Sequence, residues 1–182
     1  KVMIVVVLVV GLGATGILWV INSSYENTLA MLSKQSLEIA RQSFANVERN
    51  DTKMLSAALV ALMRDERFQK LYVAGDREGL AREAGPVFQQ LRSQFGITHF
   101  YILNQESEST CFLRVHKPKQ FNDVVKRRTY LESIRTKDFA AGKELGKTAF
   151  ALRVVHPWND SSGKLLGYIE LGEEIDHFIN AI

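Results

Sequence analysis

The chain has 182 residues, 46% hydrophobic and 24% charged, with a formal net charge of +3 and one cysteine, Cys111. That length suits one domain plus additional helix, and the mixed charge without long basic runs argues against a nucleic-acid binder. A lone cysteine excludes an intrachain disulfide, Cys-x-x-Cys-His haem attachment and cysteine-rich zinc sites. The first residue is Lys1, not Met, as expected of a piece of a longer protein.

Val2 to Ile21 carries no charge. As a helix it would extend for about 30 Å, the thickness of a bilayer's hydrocarbon layer, with Trp19 near one interface. A cleaved signal peptide is the competing expectation, but Ile21-Asn-Ser-Ser-Tyr25 is a poor cleavage site. Residues 1–22 are therefore expected to span the membrane. Gly11-Leu-Gly-Ala-Thr-Gly16 matches G-x-G-x-x-G. A dinucleotide site also needs an amphipathic helix opening at the glycines, a second strand and a ribose-binding acid; here Ile17 to Ile21 stays apolar on all sides, and a long helical stretch follows with no second strand. The glycines instead suit close packing of membrane helices, with Gly11 and Thr15 as a small pair.

From Asn22 to about Met63 there is no proline or glycine, and apolar residues recur every three or four positions, including Leu29, Leu32, Phe44, Val47, Leu55 and Leu62. The spacing predicts a long amphipathic helix over 23–64, either a stalk that pairs with a partner or a core helix. A second helix is expected over Asp65 to Ala74, with Gly75 past its end and Asp76 capping a third, Arg77 to Phe95, bent at Gly85-Pro86 and stopped by Gly96.

At Ile97 the period changes to alternation. Ile97 to Asn104 reads as a strand with Thr98, Phe100 and Ile102 on one side and His99, Tyr101 and Leu103 on the other. Cys111 to His116 reads as a second, with Cys111, Leu113 and Val115 on one face and Phe112, Arg114 and His116 on the other. Lys119 to Lys137 is a basic helical or looped crossing. Glu144 to Trp158 supplies one or two strands. Lys164 to Leu171 is the last strand, and Gly172 is expected to open an acidic-tipped helix over 173–182. The order predicts an α+β domain over 65–172 with a mainly antiparallel sheet.

Phe95-Gly-Ile-Thr-His-Phe-Tyr101, Phe112-Leu-Arg-Val-His-Lys-Pro118, Leu152-Arg-Val-Val-His-Pro-Trp158 and Gly163-Lys-Leu-Leu-Gly-Tyr-Ile-Glu-Leu-Gly172 follow one another in that order. With them, residues 66–176 resemble the extracytoplasmic Cache sensor domains of bacterial and archaeal receptors. The subfamily is the double sensory domain of two-component kinases and chemoreceptors. The resemblance implies a PAS-like antiparallel sheet with the long helix on one face and a ligand pocket on the other. It also implies a homodimer through the long helices and an output domain beyond residue 182, in a sensor histidine kinase first and a chemoreceptor next. Asn122-Asp123 stands where the family usually has Gly-Asp, and the 104–110 loop is longer than usual, so the lid and the ligand are expected to differ. The length fits one module.

The expected ligand wall is Arg114, His116 and Phe112 with Tyr101, Arg128, Arg153, Tyr168 and Glu170. Arginine forks and a histidine offer donors to a small organic acid, and tyrosines supply apolar walls. Arg127 accompanies Arg128 in the basic segment, and Trp158 is a further aromatic wall. Against this stands a structural reading in which Arg114 pairs with Glu170 or Glu144 and only ties strands. His99, His116, His156 and His177 are each more easily read as structural. Cys111 is expected to be a buried thiol. No catalytic constellation, metal-ligand spacing or cofactor motif stands out. The expected function is a membrane-anchored, extracytoplasmic small-molecule sensor. The alternative is a membrane-anchored adaptor without a small ligand, and a nucleotide-dependent enzyme built on Gly11 to Gly16 is the remaining reading.

Overall fold

A computed structural model describes residues 2–105, 110–145 and 150–175, with the side chains of 5–10 left out. The chain divides into two units, Lys1–Ala45 and Asn46–Ile182. Helix α1 (Val2–Met63) begins in the first, where Leu29, Met31, Leu32, Leu37 and Ile39 are exposed. Among the described residues no helix is long and apolar enough to cross a membrane. The expected span Val2 to Ile21 includes residues 5–10, whose side chains lie outside those described.

In the second unit the rest of α1 is followed by α2 (Glu66–Val73), α3 (Arg77–Phe95), β1 (His99–Asn104), β2 (Cys111–Arg114), α4 (Arg128–Thr136), β3 (Ala140–Leu145), β4 (Phe150–Asn159) and β5 (Leu165–Glu174). The helix boundaries follow from caps. Asp65 accepts from the Arg67 amide, and Asp76 from the Gly79 amide, each satisfying an orphan donor of a first turn. Gly96 ends α3 at φ 69°, where a side chain would be strained. Pro86 lies within α3.

The strands form one antiparallel sheet in the order β2-β1-β5-β4-β3. Directly opposed residues share a face, so the register sorts the side chains into two layers. Phe100, Ile102, Leu113, Leu152, Val154, Trp158, Ile169 and Leu171 are fully buried. On this side Trp158 Nε1 donates to the Met63 carbonyl at 2.9 Å, and the Tyr72 hydroxyl meets Asn104 and the Leu166 carbonyl. Leu55, Leu59, Leu62, Phe68, Leu80 and Phe88 supply the buried faces of the helices. Burial of a side chain of this size contributes about 1.5–3 kcal/mol, so this layer holds the sheet rigid. Gly167 marks its closest approach: a Cβ there would lie 2.4 Å from the Leu103 carbonyl and 2.7 Å from the Tyr72 hydroxyl.

The opposite layer carries Tyr101, Leu103, Cys111, Val155 and Tyr168, joined by Val125 and by Tyr130 of α4. Two sequence expectations change here. β5 runs on through Gly172, Glu173 and Glu174, which pair with Arg153, Leu152 and Ala151, so no helix starts at Glu173. The remainder of the expected helix over 173–182 lies outside the described residues. The face assignment in β2 also changes. Ile102 pairs with Leu113 but Leu103 with Cys111, leaving Phe112 as the extra residue of a bulge. Cys111 and Arg114 therefore both lie on the Tyr101 side. Phe112 instead meets Tyr72 edge-on at 4.9 Å, with the Arg77 guanidinium 5.7 Å from its ring.

Candidate functional site

On the Tyr101 side a cavity of about 400 Å³ lies between the sheet and the segment 116–127. The sheet supplies His99 and Tyr101 from β1, Arg114 from β2, Arg153 from β4 and Glu174 from β5; the segment supplies His116, Lys117, Gln120, Asp123, Lys126 and Arg127. The segment is tied to β2 by backbone bonds from Cys111 N to Asp123 O and from Asn122 N to Cys111 O. Asn122 makes the turn at φ 63°, a conformation asparagine tolerates better than most residues. That turn presents Asp123 to Arg114.

Three guanidiniums gather around one ring. The carbon centres of Arg127, Arg114 and Arg153 lie 4.2, 5.4 and 5.9 Å from the Tyr101 centroid. Each has a carboxylate. Arg114 forks onto Asp123, at 2.6 Å for one of its two bonds, and also donates to the Gln120 carbonyl. This hydrogen-bonded pairing raises the Arg114 pKa, so it stays charged. Arg127 and Arg153 share Glu170, which is 0% exposed: Arg127 donates twice to one oxygen, at 2.8 and 3.0 Å, and Arg153 once to the other, at 2.7 Å. Burial works against the Arg127 charge, but Glu170 and the other charges nearby outweigh it and raise its pKa. Arg153 is 3% exposed, and its buried Nε has no hydrogen-bond partner among the described residues. A buried donor left unmade is costly, and this one belongs to a residue that lines the cavity.

The histidines complete the wall. The His116 ring lies 4.7 Å from Tyr101 and 5.1 Å from His99, edge to face in both cases. Burial, reinforced by the surrounding cations, pushes His99 down to about 3; burial is also the main cause that takes His116 down to about 4. Both rings are neutral at ordinary pH.

The structure thus brings Tyr101, Arg114, His116 and Arg153 to one cavity, with Glu170 holding two of its arginines from behind. It places other expected residues elsewhere. Phe112 is on the helix side because of the bulge. Arg128 lines a separate cavity of about 280 Å³ with Thr129, Glu132, Ala140 and Ala141, while its neighbour Arg127 enters the main one. Tyr168 shares the cavity's face but meets Tyr130 edge to face at 5.5 Å. Trp158 is buried against α1 and lines neither cavity. Arg114 is paired, as the structural reading held, but with Asp123 and not with Glu170 or Glu144. Glu144 instead accepts from the Thr129 amide at the start of α4. Cys111 is buried, and burial pushes its thiol up to about 11. His99, expected to be structural, lines the cavity, on the side its alternation with Tyr101 implies. No group of histidine, cysteine and acid side chains that could hold a metal occurs among the described residues.

Comparison with known proteins places this arrangement in context. Residues 32–182 match the family described as the double sensory domain of two-component sensor kinase. The Escherichia coli DcuS sensor domain superposes with a TM-score of 0.54 at 17% identity, over 74% of this chain and 96% of that one. The Vibrio cholerae histidine kinase DctB sensor domain gives 0.59 at 11% identity, covering 81% of this chain and 59% of that one. The Campylobacter jejuni chemoreceptor Tlp3 sensory domain with isoleucine bound gives 0.57 at 18% identity, covering 88% and 64%. This chain therefore spans less than two thirds of the DctB and Tlp3 chains. Identities this low speak for the fold. The comparison with curated proteins gives no match.

Proposed function

Because the chain belongs to the double sensory domain family of two-component sensor kinases, a Cache-type sensor fold, we propose that it is the extracytoplasmic ligand-sensing module of a membrane receptor, with a small carboxylate as its ligand. One observation carries the ligand class: the guanidiniums of Arg114, Arg127 and Arg153 line one cavity around the Tyr101 ring. Arg114 and Asp123 offset each other, as do one of the two remaining arginines and Glu170. Lys117 and Lys126 at the cavity outweigh Glu174, so the site keeps a cationic surplus. Isoleucine, the ligand of the Tlp3 structure, carries a carboxylate beside an ammonium group. In this reading Arg153 and Arg127 take the carboxylate, Tyr101 and His116 form the walls, and Arg114 with Asp123 fastens the segment 116–127.

The receptor is most simply a sensor histidine kinase, and next a chemoreceptor, with Val2 to Ile21 as its membrane span and α1 as the dimer contact. A ligand can shift the helices only if it binds one arrangement better than the other. A thermal-shift panel of acetate, succinate and L-isoleucine on the full chain tests the ligand class. At least one acid is expected to raise Tm in the wild type and in Arg128→Ala, and to lose that effect in Arg153→Ala. Failure of every acid, or an effect that survives in Arg153→Ala, contradicts it. A cavity that takes no metabolite would favour the protein-binding adaptor.

A further inference from the structure

The two histidines of the cavity have a shared feature that anion binding by arginine does not use. His116 Nδ1 sits 3.2 Å from the Phe100 amide nitrogen and 3.2 Å from the Phe100 carbonyl oxygen. The neutral ring can accept from the first; a protonated ring can donate to the second. His99 Nδ1 lies 2.8 Å from the Thr98 hydroxyl, which also reaches the Gly172 carbonyl at 3.4 Å. That hydroxyl can give its proton to a neutral His99, or turn it to Gly172 and accept from a charged one. Each ring therefore has a satisfied Nδ1 in both protonation states. Neither Nε2 has a hydrogen bond among the described residues, and both rings line the cavity.

We propose that His99 and His116, with Arg153, form an anion-binding wall that takes up a proton together with a small carboxylate, so that occupancy depends jointly on ligand and acidity. This rests on the carboxylate reading of the site. Burial first, and the neighbouring cations after it, disfavour imidazolium in this wall. His99 faces Arg153 of β4 and Arg127 and Lys117 of the crossing segment; His116 faces Lys117, Arg114 and Arg153, with uncharged Phe88 behind it on α3. The acids nearby are Glu170, shared by Arg127 and Arg153, Asp123, held by Arg114, and Glu174 at the cavity wall. A carboxylate arriving among these groups adds a negative charge where the cations had opposed the proton. It raises the affinity of Nδ1 for a solvent proton, with the Phe100 carbonyl or the Thr98 hydroxyl receiving the new N–H, while the Nε2–H of the ring donates to the ligand oxygen. No bond other than N–H forms, and the proton comes from water.

The sign follows from linkage. Burial and the cations hold the free histidines at about 3 and about 4, below the ordinary value of 6.5. A bound state of higher pKa binds more protons, so affinity rises as pH falls through that interval, by up to about tenfold per pH unit for one proton. The carboxylate's own titration runs the opposite way.

Calorimetric titration of the full chain with acetate, in buffers of low and high ionisation enthalpy between pH 5 and 7, tests this. The expected result is buffer-dependent heat showing net proton uptake, and tighter binding at lower pH. In His99→Gln/His116→Gln, acetate is expected to bind more weakly, through Arg153 and Arg127, and without buffer-dependent uptake. Binding with no uptake in the wild type, or uptake unchanged in the double variant, overturns the proton coupling and leaves the carboxylate reading standing. If acetate, succinate and L-isoleucine all fail to bind at any pH, both fall.

Discussion

Glu170 decides more at this site than any arginine it holds. Its carboxylate is wholly buried, and its two oxygens serve different guanidiniums from different segments, Arg127 ahead of α4 and Arg153 in β4. Charges so placed are held by their partners and not by water, and removing one partner leaves the other uncompensated. Glu170→Ala is expected to lower stability by about 3–5 kcal/mol, measured by urea unfolding; a loss below about 1 kcal/mol, the usual limit of a surface pair, would contradict the arrangement. The residue types of this network were readable in the sequence: Arg114, His116, Arg153, Tyr101 and Glu170 were all picked out by alternation and chemistry. Their partners were not. Asp123 reaches Arg114 through a turn at Asn122 whose φ no periodicity reveals. Arg127, the extended residue that caps α4, enters the cavity, while Arg128 already belongs to the helix and lines the separate one.

At the scale of elements, capping chemistry and glycine stops marked α2 and α3 closely, since Asp65, Asp76, Gly75 and Gly96 each act on their immediate neighbours. Long-range pairing was less readable. Simple alternation put Phe112 beside Arg114, but the bulge at Phe112 turns it towards Tyr72 and Arg77. The acidic run Glu173-Glu174 suited a helix start, yet pairing with Leu152 and Ala151 keeps it in the sheet. The fit of α2 onto the sheet has its tightest point at Gly167. A methyl group there meets a backbone carbonyl that cannot move aside, so Gly167→Ala is expected to cost ~1–3 kcal/mol, the usual range for overpacking. Chemical denaturation checks this, and an unchanged stability would contradict it.

For the molecule as a whole, one face of the sheet is sealed by α1, α2 and α3, and the other holds a cation-rich cavity closed by a segment that an ion pair and two backbone bonds fasten to β2. The helix-sealed layer was largely visible in the sequence as hydrophobic period; the cavity was visible only as a set of residue types, because its closure depends on loop geometry. The central claim is that charge selects the ligand. Its most direct test is calorimetric titration of the full chain with succinate and with succinamide, its uncharged counterpart of the same shape. Succinate is expected to bind at least about tenfold more tightly, the ratio that one charge-assisted hydrogen bond of about 1.5 kcal/mol would produce, and to lose that preference in Arg153→Ala. Equal binding of acid and amide, or a preference unchanged in Arg153→Ala, would contradict it.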